Sequence, residues 1–477
     1  MKKLIINYFY VLLNQVVLIF LPFITMPYVT RILQANGLGR HTFALSIVSV
    51  FSIFLTLSIP IYGAKEIAAQ NNTKEIEKTF AAIFKIQFFA AIVVTLAYSL
   101  FLLTPLAMIE RQLFIIHLIT LLTRAIDVSW YFVGKEQAKK VVIRTVLTKI
   151  IGTMSIFLFV NSPNDVFIYT LILAMSLFSG QALVWIPLLK EVKFKKVRIS
   201  EVKKHLKPIA ILFLPQLFIM MYTNLNNVVL GAVVGRDELA FYAQAVVIMT
   251  MVISVLASIS TIMLPRMASE FSKGNVSVIK KNVANILQFV LLVSVPLAFG
   301  LIAISYDFVI AFFGLEFVPT ALLLALISPN IIIVGLANVF GVQLLIATNQ
   351  QKKYTISVIV GAILSLIVNF VLVFHIGALA TVFALLAAEV TGLLIQIFYT
   401  REYFDLHYFS KELVKYLVYG GIMYAGIWFA SSLINLSIIN LIIFKVIIGC
   451  FIYITILIIT KNELLSKVWR LVIKKAN

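Results

Sequence analysis

The sequence predicts an all-α integral membrane protein with about 14 transmembrane helices. Of its 477 residues, 62% are hydrophobic and only 12% are charged, and the mean hydropathy is +1.06. A chain of this composition cannot cover itself with a polar surface in water. In addition, apolar runs long enough to cross a bilayer, about 20 residues each, recur along the chain.

The apolar runs fall into two groups, separated by the longest polar interval of the chain. Six predicted spans precede this interval, at about 4–29, 41–62, 80–103, 112–133, 141–161 and 167–189. Eight follow it, at about 209–234, 240–264, 283–305, 320–346, 354–374, 378–399, 416–435 and 438–460. The first run is too long for a signal-peptide core, so we expect it to remain as a helix. Pro22 and Pro27 predict a bend in this helix, and Gly37 and Gly39 predict a turn into the second span.

The polar interval, residues 190–208, is the most basic segment of the chain. It holds eight Lys and Arg against two Glu, which predicts a cytoplasmic linker that rests on anionic membrane lipids. A rough apolar stripe within it makes an interfacial helix an alternative to a solvated linker. The stripe consists of Phe194, Val197, Val202 and Leu206.

The positive charges also predict the orientation of the spans. All but six of the 39 Lys and Arg fall on the same side as Met1, so we expect both termini to be cytoplasmic. The net charge of +20 therefore reflects membrane orientation rather than nucleic acid binding. The six exceptions are Arg31, Arg40, Arg111 and Arg236 in the opposite intervals, and Arg124 and Lys445 within spans.

A weak internal repeat predicts the domain organisation. A shift of about 201 residues places Gln15 on Gln216 and Leu38 on Leu239, as expected for parallel repeats related by an axis along the membrane normal. We therefore divide the chain into an N-terminal six-helix lobe (1–189), the linker (190–208), a C-terminal six-helix lobe (209–400), and two further helices with a basic tail (401–477). Chance alignment of apolar helices is the alternative.

Ionisable side chains deep within predicted spans are candidates for function, because they are costly in a bilayer and usually face protein or water. Arg124 and Asp127 are three residues apart in the fourth span, where one helix face would bring them together as a structural pair or a functional one. Glu389 lies near the middle of the twelfth span without a cation nearby in the sequence, so it could bind and release a proton. Lys445 lies toward one end of the last span and could snorkel to the interface.

Enzyme motifs are missing from the sequence. It has no P-loop for nucleotides, no H-E-x-x-H for zinc and no G-x-S-x-G elbow. The five histidines are scattered, and each is interpreted as a packed or interfacial residue. A single cysteine, Cys450, excludes an intrachain disulfide. We therefore expect no enzyme activity, no metal and no cofactor, and favour transport driven by an ion gradient or membrane potential over ATP hydrolysis.

Several stretches resemble bacterial polysaccharide repeat-unit flippases, the polysaccharide transporter branch of the multidrug, oligosaccharidyl-lipid and polysaccharide exporter superfamily. The likeness covers nearly the whole chain, and the SWYFVGKE and LPRMA motifs are fairly specific to this branch. The stretches are PYVTRILQANGLGRHTFALSIVSVF from Pro27, IDVSWYFVGKEQAKKVVIRTVLTKI from Ile126, TIMLPRMA from Thr261, GLEFVPTALLLALISPNIIIVGLANVFGVQLL from Gly314 and GALATVFALLAAEV from Gly377.

The resemblance implies two lobes around a V-shaped central cavity, in a multi-pass protein of the bacterial cytoplasmic membrane. It implies alternating-access movement of undecaprenyl-diphosphate-linked oligosaccharide from the cytoplasmic to the outer leaflet, for O-antigen, capsule or exopolysaccharide assembly. H⁺ or Na⁺ as coupling ion and polysaccharide polymerase machinery as partner belong to the same expectation. By analogy, Arg31 and Arg124 would face the diphosphate or acidic sugars, and Asp127 and Glu389 would act in coupling or gating.

One departure from the family pattern affects the seventh span. Many relatives have an Asp-Lys pair where this chain has Asn226 and Asn227, so a charge-based role is in doubt at that position. Together with Asn224, these residues could still hydrogen-bond sugar hydroxyls.

Alternative functions remain open from the sequence. They are a flippase for the lipid-linked peptidoglycan precursor, a drug or cation antiporter of the same superfamily, and an assembly scaffold. An antiporter would favour carboxylates in its cavity, whereas this chain offers at least as many candidate cations as anions. A membrane glycosyltransferase, polymerase or ligase would need a sizeable outer loop with catalytic residues, which the predicted topology lacks.

Overall fold

The structure is a computed structural model that describes residues 2–70 and 72–462. The side chains of residues 2–16, 18, 19, 255, 257–266, 268 and 276 lie outside this description, as does the predicted basic tail beyond residue 462. The described backbone contains helices and no β-strand. The predicted all-α membrane fold is therefore confirmed.

The chain divides into two compact units, Met1–Ala240 and Phe241–Asn477. The helices of the first unit are α1 (Lys2–Thr56), α2 (Ile59–Ala68), α3 (Thr73–Phe101), α4 (Pro105–Met108), α5 (Arg111–Ala125), α6 (Ser129–Gly134), α7 (Lys139–Phe159), α8 (Val166–Glu191), α9 (Ile199–Met220) and α10 (Asn226–Val233). Helix α11 (Arg236–Ser272) begins in the first unit and continues into the second. The other helices of the second unit are α12 (Val276–Phe313), α13 (Val318–Ile327), α14 (Asn330–Ala337), α15 (Gln351–Ile376), α16 (Ala378–Thr400), α17 (Leu406–Ser432) and α18 (Ile438–Ile459). The lobe boundaries that the repeat predicts stay a prediction.

Twelve helical segments of the described chain are long and apolar enough to cross a membrane. A thirteenth is formed by Leu315–Ile327 with Asn330–Ile346, which meet at an angle of 43°. The segment Phe20–Ala68 contains a helix break within α1. If the two helices that meet at this break each cross the membrane, the count reaches the predicted fourteen.

The break in α1 lies at Gln34, and not at the glycines that follow it. Gln34 has φ 59° and ψ −177°, while Pro22 and Pro27 lie within the helix. Gly37 and Gly39 are helical, so the predicted glycine turn is wrong. Close packing requires glycine at position 39, because a Cβ atom there would lie 1.8 Å from the carbonyl oxygen of Arg236.

A buried ion-pair cluster lies close to Gly39 and Arg236 in the first unit. Glu110 is 6% exposed and accepts two hydrogen bonds of 3.0 Å from Nε of Arg40. Arg236 approaches the same carboxylate to 4.0 Å and lies 3.4 Å from the ring centroid of Phe43. Nearby, Asn36 Nδ2 donates to Asp237 Oδ1 at 3.1 Å. The cluster ties the start of α5 to α1 and to the start of α11.

The basic linker packs against other segments of the first unit. Residues 192–198 are not helical, and α9 begins at Ile199. Phe194 stacks on Trp185 with ring centroids 6.2 Å apart, and Lys195 forms an ion pair with Glu77. The linker is therefore neither a free solvated loop nor a single interfacial helix, because part of it is an extended segment held by aromatic and ionic contacts.

In the second unit, α15 and α16 pack at unusually short distance. A Cβ atom at Gly361 would lie 2.5 Å from the carbonyl oxygen of Ala388, so only glycine permits this approach. Thr381 of α16 donates to Asn369 of α15 at 3.0 Å. This packing fixes the segment of α16 that carries Glu389.

Candidate functional site

The fourth predicted span is broken where its charged residues lie. Helix α5 ends at Ala125 and α6 begins at Ser129, so the expectation that Arg124 and Asp127 share the face of one continuous helix is wrong. Oδ1 of Asp127 accepts a hydrogen bond of 2.9 Å from the backbone N–H of Ser129 and another from its hydroxyl. An Asp side chain that binds a backbone N–H two residues later competes with helix formation, which accounts for the break.

A buried and a half-buried side chain donate hydrogen bonds to the carbonyl groups at the break. Gln87 of α3 is 3% exposed, and its Nε2 lies 3.2, 3.1 and 2.9 Å from the carbonyl oxygens of residues 124, 125 and 127. Trp185 Nε1 donates to the carbonyl of Ile126 at 2.8 Å. Within a membrane, unsatisfied carbonyls cost several kcal/mol, so these contacts stabilise the break.

The aromatic residues after the break anchor it in the core. Trp130, Tyr131 and Phe132 are at most 1% exposed, and Trp130 stacks on Phe80 with centroids 5.2 Å apart. Trp130 Nε1 also donates to Gln87 Oε1 at 3.3 Å. The SWYF part of the family motif is therefore a packing element that holds Arg124 and Asp127 in place.

A polar cavity of about 230 Å³ lies beside the break. Its lining holds two cations, Arg124 and Lys149, and one carboxylate, Asp127, whose Oδ1 already accepts from Ser129. In the described part of the chain neither cation forms an ion pair, although Arg124 and Asp127 line the same cavity. Hydroxyl and amide groups complete the polar wall, namely Thr120, Thr123, Thr145, Thr148, Ser176 and Gln181. The cavity can therefore receive an anion.

A second cavity of about 300 Å³ adjoins the first. The two share Thr120, Lys149, Ser176 and Leu177 as lining residues. The second cavity is mainly apolar, but His41 and His117 also line it. No sequence signal identifies this pair, because 76 residues separate the two histidines and no motif indicates that α1 and α5 bring them together.

Asn224 lies within a π-helical segment, Met221–Leu225, and Asn226 and Asn227 directly follow it. Such segments are frequent at functional sites. Asn224 donates to Thr223 Oγ1 at 3.1 Å and to the carbonyl of Met220. Asn226 is 1% exposed, and Asn227 donates to Ser46 Oγ of α1 at 3.3 Å. None of the three lines the two cavities.

The other predicted site residues lie elsewhere. Arg31 is exposed on α1 and donates to the carbonyl of Pro27 at 3.0 Å. Glu389 is half-buried on α16 of the second unit. Neither lines the two cavities. The roles predicted for these residues stay predictions.

Lys445, the other cation within a predicted span, has partners in the second unit. Its Nζ forms an ion pair with Asp307 Oδ2 at 2.5 Å and donates to the carbonyl of Ala303 at 3.3 Å. Snorkelling to the interface is therefore unnecessary. The lysine also lines a largely apolar cavity of about 430 Å³, in which its charge is already compensated.

Family comparisons agree with this architecture. The family described as polysaccharide biosynthesis protein matches residues 4–271, more than half of the chain. The family described as lipid II flippase MurJ matches residues 143–455.

Two curated relatives are similar over most of their length. The chain is 25% identical over 375 residues to a protein of Shigella dysenteriae named "Putative O-antigen transporter", covering 77% of this chain and 93% of that protein. It is 24% identical over 391 residues to a protein of the same name from Escherichia coli (strain K12), covering 79% and 92%.

Two solved structures share the fold at low sequence identity. The lipid II flippase MurJ in an inward closed conformation has a TM-score of 0.71 and 14% identity, covering 97% of this chain and 100% of that one. An inward-facing multidrug resistance MATE family transporter has a TM-score of 0.64 and 12% identity, covering 81% and 95%. The fold, the family matches and the relatives agree with the resemblance seen in the sequence: the chain belongs to the polysaccharide biosynthesis protein family and is a membrane flippase or transporter, not an enzyme.

Proposed function

We propose that this protein moves undecaprenyl-diphosphate-linked oligosaccharide repeat units from the cytoplasmic to the outer leaflet for cell-surface polysaccharide assembly. The observation that carries the proposal is the polar cavity beside the broken fourth span, where Arg124 and Lys149 have no ion-pair partner in the described chain. A diphosphate supplies the negative charge that would offset the cost of placing two cations there. The O-antigen transporter names of the relatives agree with such a substrate.

Arg124 is the residue best suited to the diphosphate. A planar guanidinium binds two phosphate oxygens through paired N–H donors, and lysine cannot reproduce that geometry. Its backbone is held by Gln87, so the donor is placed by a rigid support. The hydroxyls of Thr123, Thr145 and Thr148 in the same wall donate to backbone carbonyls, so their oxygens can accept hydrogen bonds from sugar hydroxyls.

The transport cycle that we propose is alternating access between two six-helix lobes, in the bacterial cytoplasmic membrane with both termini in the cytoplasm. The charge distribution along the chain supports this orientation. Asp127 and Glu389 are the coupling or gating residues of the proposal, with H⁺ or Na⁺ as the ion. Arg31, Asn224, Asn226 and Asn227 would contact substrate at other stages of the cycle.

Orientation can be tested with a single cysteine in the linker. Ser200 is exposed at the start of α9, and Cys450 is the only natural cysteine. In a Cys450→Ala background, Ser200→Cys should react with an impermeant maleimide in inside-out vesicles and not in intact cells. Labelling from outside intact cells would reverse the proposed orientation.

A flippase for the lipid-linked peptidoglycan precursor is the second candidate, favoured by the MurJ family match over residues 143–455. The decisive experiment is reconstitution in liposomes with two fluorescent lipids, an undecaprenyl-diphosphate oligosaccharide and the peptidoglycan precursor. Under the main proposal, the first lipid should reach the protected leaflet at least about tenfold faster than the second. The opposite preference would replace the main proposal with the second candidate. If both lipids move as fast in protein-free liposomes as in liposomes with the protein, both candidates are refuted.

A further inference from the structure

The cavity of about 300 Å³ in the first unit contains two buried histidines in contact with each other. His41 of α1 and His117 of α5 are 7% and 2% exposed, and their ring centroids lie 5.8 Å apart. Nδ1 of His41 lies 2.9 Å from Thr170 Oγ1, and Nδ1 of His117 lies 3.1 Å from Thr120 Oγ1. Each ring is thus fixed through Nδ1, which leaves both Nε2 atoms for other contacts.

The hydrogen bonds define the tautomer of His41. The hydroxyl of Thr170 donates its proton to the carbonyl of Val166 at 2.8 Å, so its oxygen can only accept from His41. Nδ1 of His41 therefore carries the proton, and in the uncharged ring Nε2 presents a lone pair. The result is a hydrogen-bond acceptor in a cavity that has mostly apolar walls.

Only one of the two Nε2 atoms can meet a ligand in the cavity. Nε2 of His117 is sealed from solvent and has no hydrogen-bond partner. Nε2 of His41 also has no partner in the described chain, but it is not sealed in this way, and the residue lines the cavity. An acceptor that faces a mostly apolar cavity without a protein partner favours a ligand that donates a hydrogen bond to it.

Tyr169 adds a second polar contact beside His41. Its ring lies edge-on to that of His41 with centroids 5.0 Å apart, and its hydroxyl makes no hydrogen bond within the described chain. Tyr169 also lines the cavity, so an acceptor and a hydroxyl are offered together. No carboxylate lines this cavity in the described part of the chain, which disfavours a metal ion or an organic cation.

We propose that this cavity binds the sugar residue next to the diphosphate, with His41 Nε2 accepting a hydrogen bond from a sugar hydroxyl or amide and Tyr169 supplying a second contact. The proposal rests on the proposed function and adds a subsite to it. The volume is at the lower end for small-ligand pockets and fits a single sugar ring. Lys149 and Thr120 are shared with the Arg124 cavity, so a diphosphate held there leaves its attached sugar at this wall.

The first test needs no substrate and concerns the tautomer of His41. Imidazole nitrogen NMR of the full chain in nanodiscs should show His41 as the Nδ1–H tautomer near neutral pH, with assignment by His41→Gln. Thr170→Val removes the acceptor of this proton and should raise the Nε2–H fraction. A His41 ring already in the Nε2–H form in the wild type would overturn the proposal.

The subsite is tested by comparing two lipids, undecaprenyl diphosphate and undecaprenyl diphosphate bearing one N-acetylglucosamine. In His41→Phe, the affinity for the sugar-bearing lipid should fall about three- to tenfold, the effect of one lost hydrogen bond, while the affinity for the bare lipid stays unchanged. His41→Gln keeps an acceptor and should retain most of the affinity. Tyr169→Phe, which removes only a hydroxyl, should show a smaller loss of the same kind, and His375→Phe in the second unit is the control.

The outcomes separate the subsite from the proposed function. If wild-type protein binds both lipids and His41→Phe weakens both equally or neither, the sugar subsite is refuted and the proposed function stands. If the wild type binds neither lipid, both proposals fail. If His41→Phe does not fold, Tyr169→Phe decides by the same comparison.

Discussion

The two cations that the sequence places within spans, Arg124 and Lys445, lie in different environments. Lys445 is bound to Asp307 and to a backbone carbonyl, in a largely apolar cavity of the second unit. Arg124 lies beside a helix break in the first unit, in a polar cavity that it shares with a second cation. A charge whose partner is built into the protein stabilises the fold, whereas a charge that faces a cavity without an ion-pair partner is suited to a ligand.

Replacing Arg124 should have the largest effect on transport. Arg124→Lys keeps the charge but loses the paired donors, so we expect flipping of the fluorescent undecaprenyl-diphosphate oligosaccharide to fall by at least about tenfold, as for a lost charge-assisted bidentate contact. Expression should stay near wild type. Arg111→Lys, at the exposed start of the same helix, is the matched control.

A charge swap separates the two interpretations of Arg124 and Asp127. Because these residues form no ion pair in the structure and Asp127 binds Ser129, the double variant Arg124→Asp, Asp127→Arg should be inactive. Wild-type flipping by either Arg124→Lys or the swapped variant would make Arg124 a structural residue, like Lys445.

Gln87 should show that the Arg124 site depends on its backbone support. Gln87→Leu removes the donor to three carbonyls at nearly constant volume, so we expect a loss of about 1–3 kcal/mol in unfolding free energy together with reduced flipping. The stability can be measured by thermal unfolding in detergent. Gln181→Leu is the control, because it alters a side chain of the same cavity that does not hold the break. Unchanged stability in Gln87→Leu would contradict the role given to Gln87.

Lys445 should show the opposite profile, with stability affected more than transport. Lys445→Met leaves Asp307 without its cation, and we expect a loss of about 1–3 kcal/mol with the flipping rate per folded molecule little changed. The double variant Lys445→Met, Asp307→Leu removes both charges and should recover much of the lost stability. A tenfold fall in flipping by the folded single variant would place Lys445 in the transport site instead.

Glu389 is expected to affect only the coupling. Glu389→Gln should leave the protein folded and remove the response of flipping to an imposed pH gradient, because an amide cannot take up a proton. The measurement is the flipping rate in liposomes with and without the gradient, with Glu316→Gln, an exposed carboxylate, as the control. An unchanged response would assign Glu389 a structural role.

The sequence predicted the spans well because about 20 apolar residues in succession have few alternatives to crossing a membrane. It could not predict the break after Ala125, because the groups that stabilise the break, Gln87 and Trp185, come from other helices. The position of the bend in α1 was missed for a similar reason: Gly39 is required by the carbonyl of Arg236, which is remote in the chain. Arg124 was recognised because an intramembrane charge is visible in any sequence, whereas His41 and His117 become a pair only after folding.

The extended linker has a consequence for how the intact chain can be cut. Proteases bind extended backbone next to exposed side chains, and residues 192–198 offer such a segment with Lys193 and Lys196 exposed. The flanking anchors, Phe194 on Trp185 and Ser58 Oγ on the carbonyl of Ile209 at 3.0 Å, lie on both sides of the Lys196 peptide bond. Trypsin cleavage there would sever the polypeptide without removing a helix, so the two fragments would remain associated through side-chain packing and separate only in denaturant.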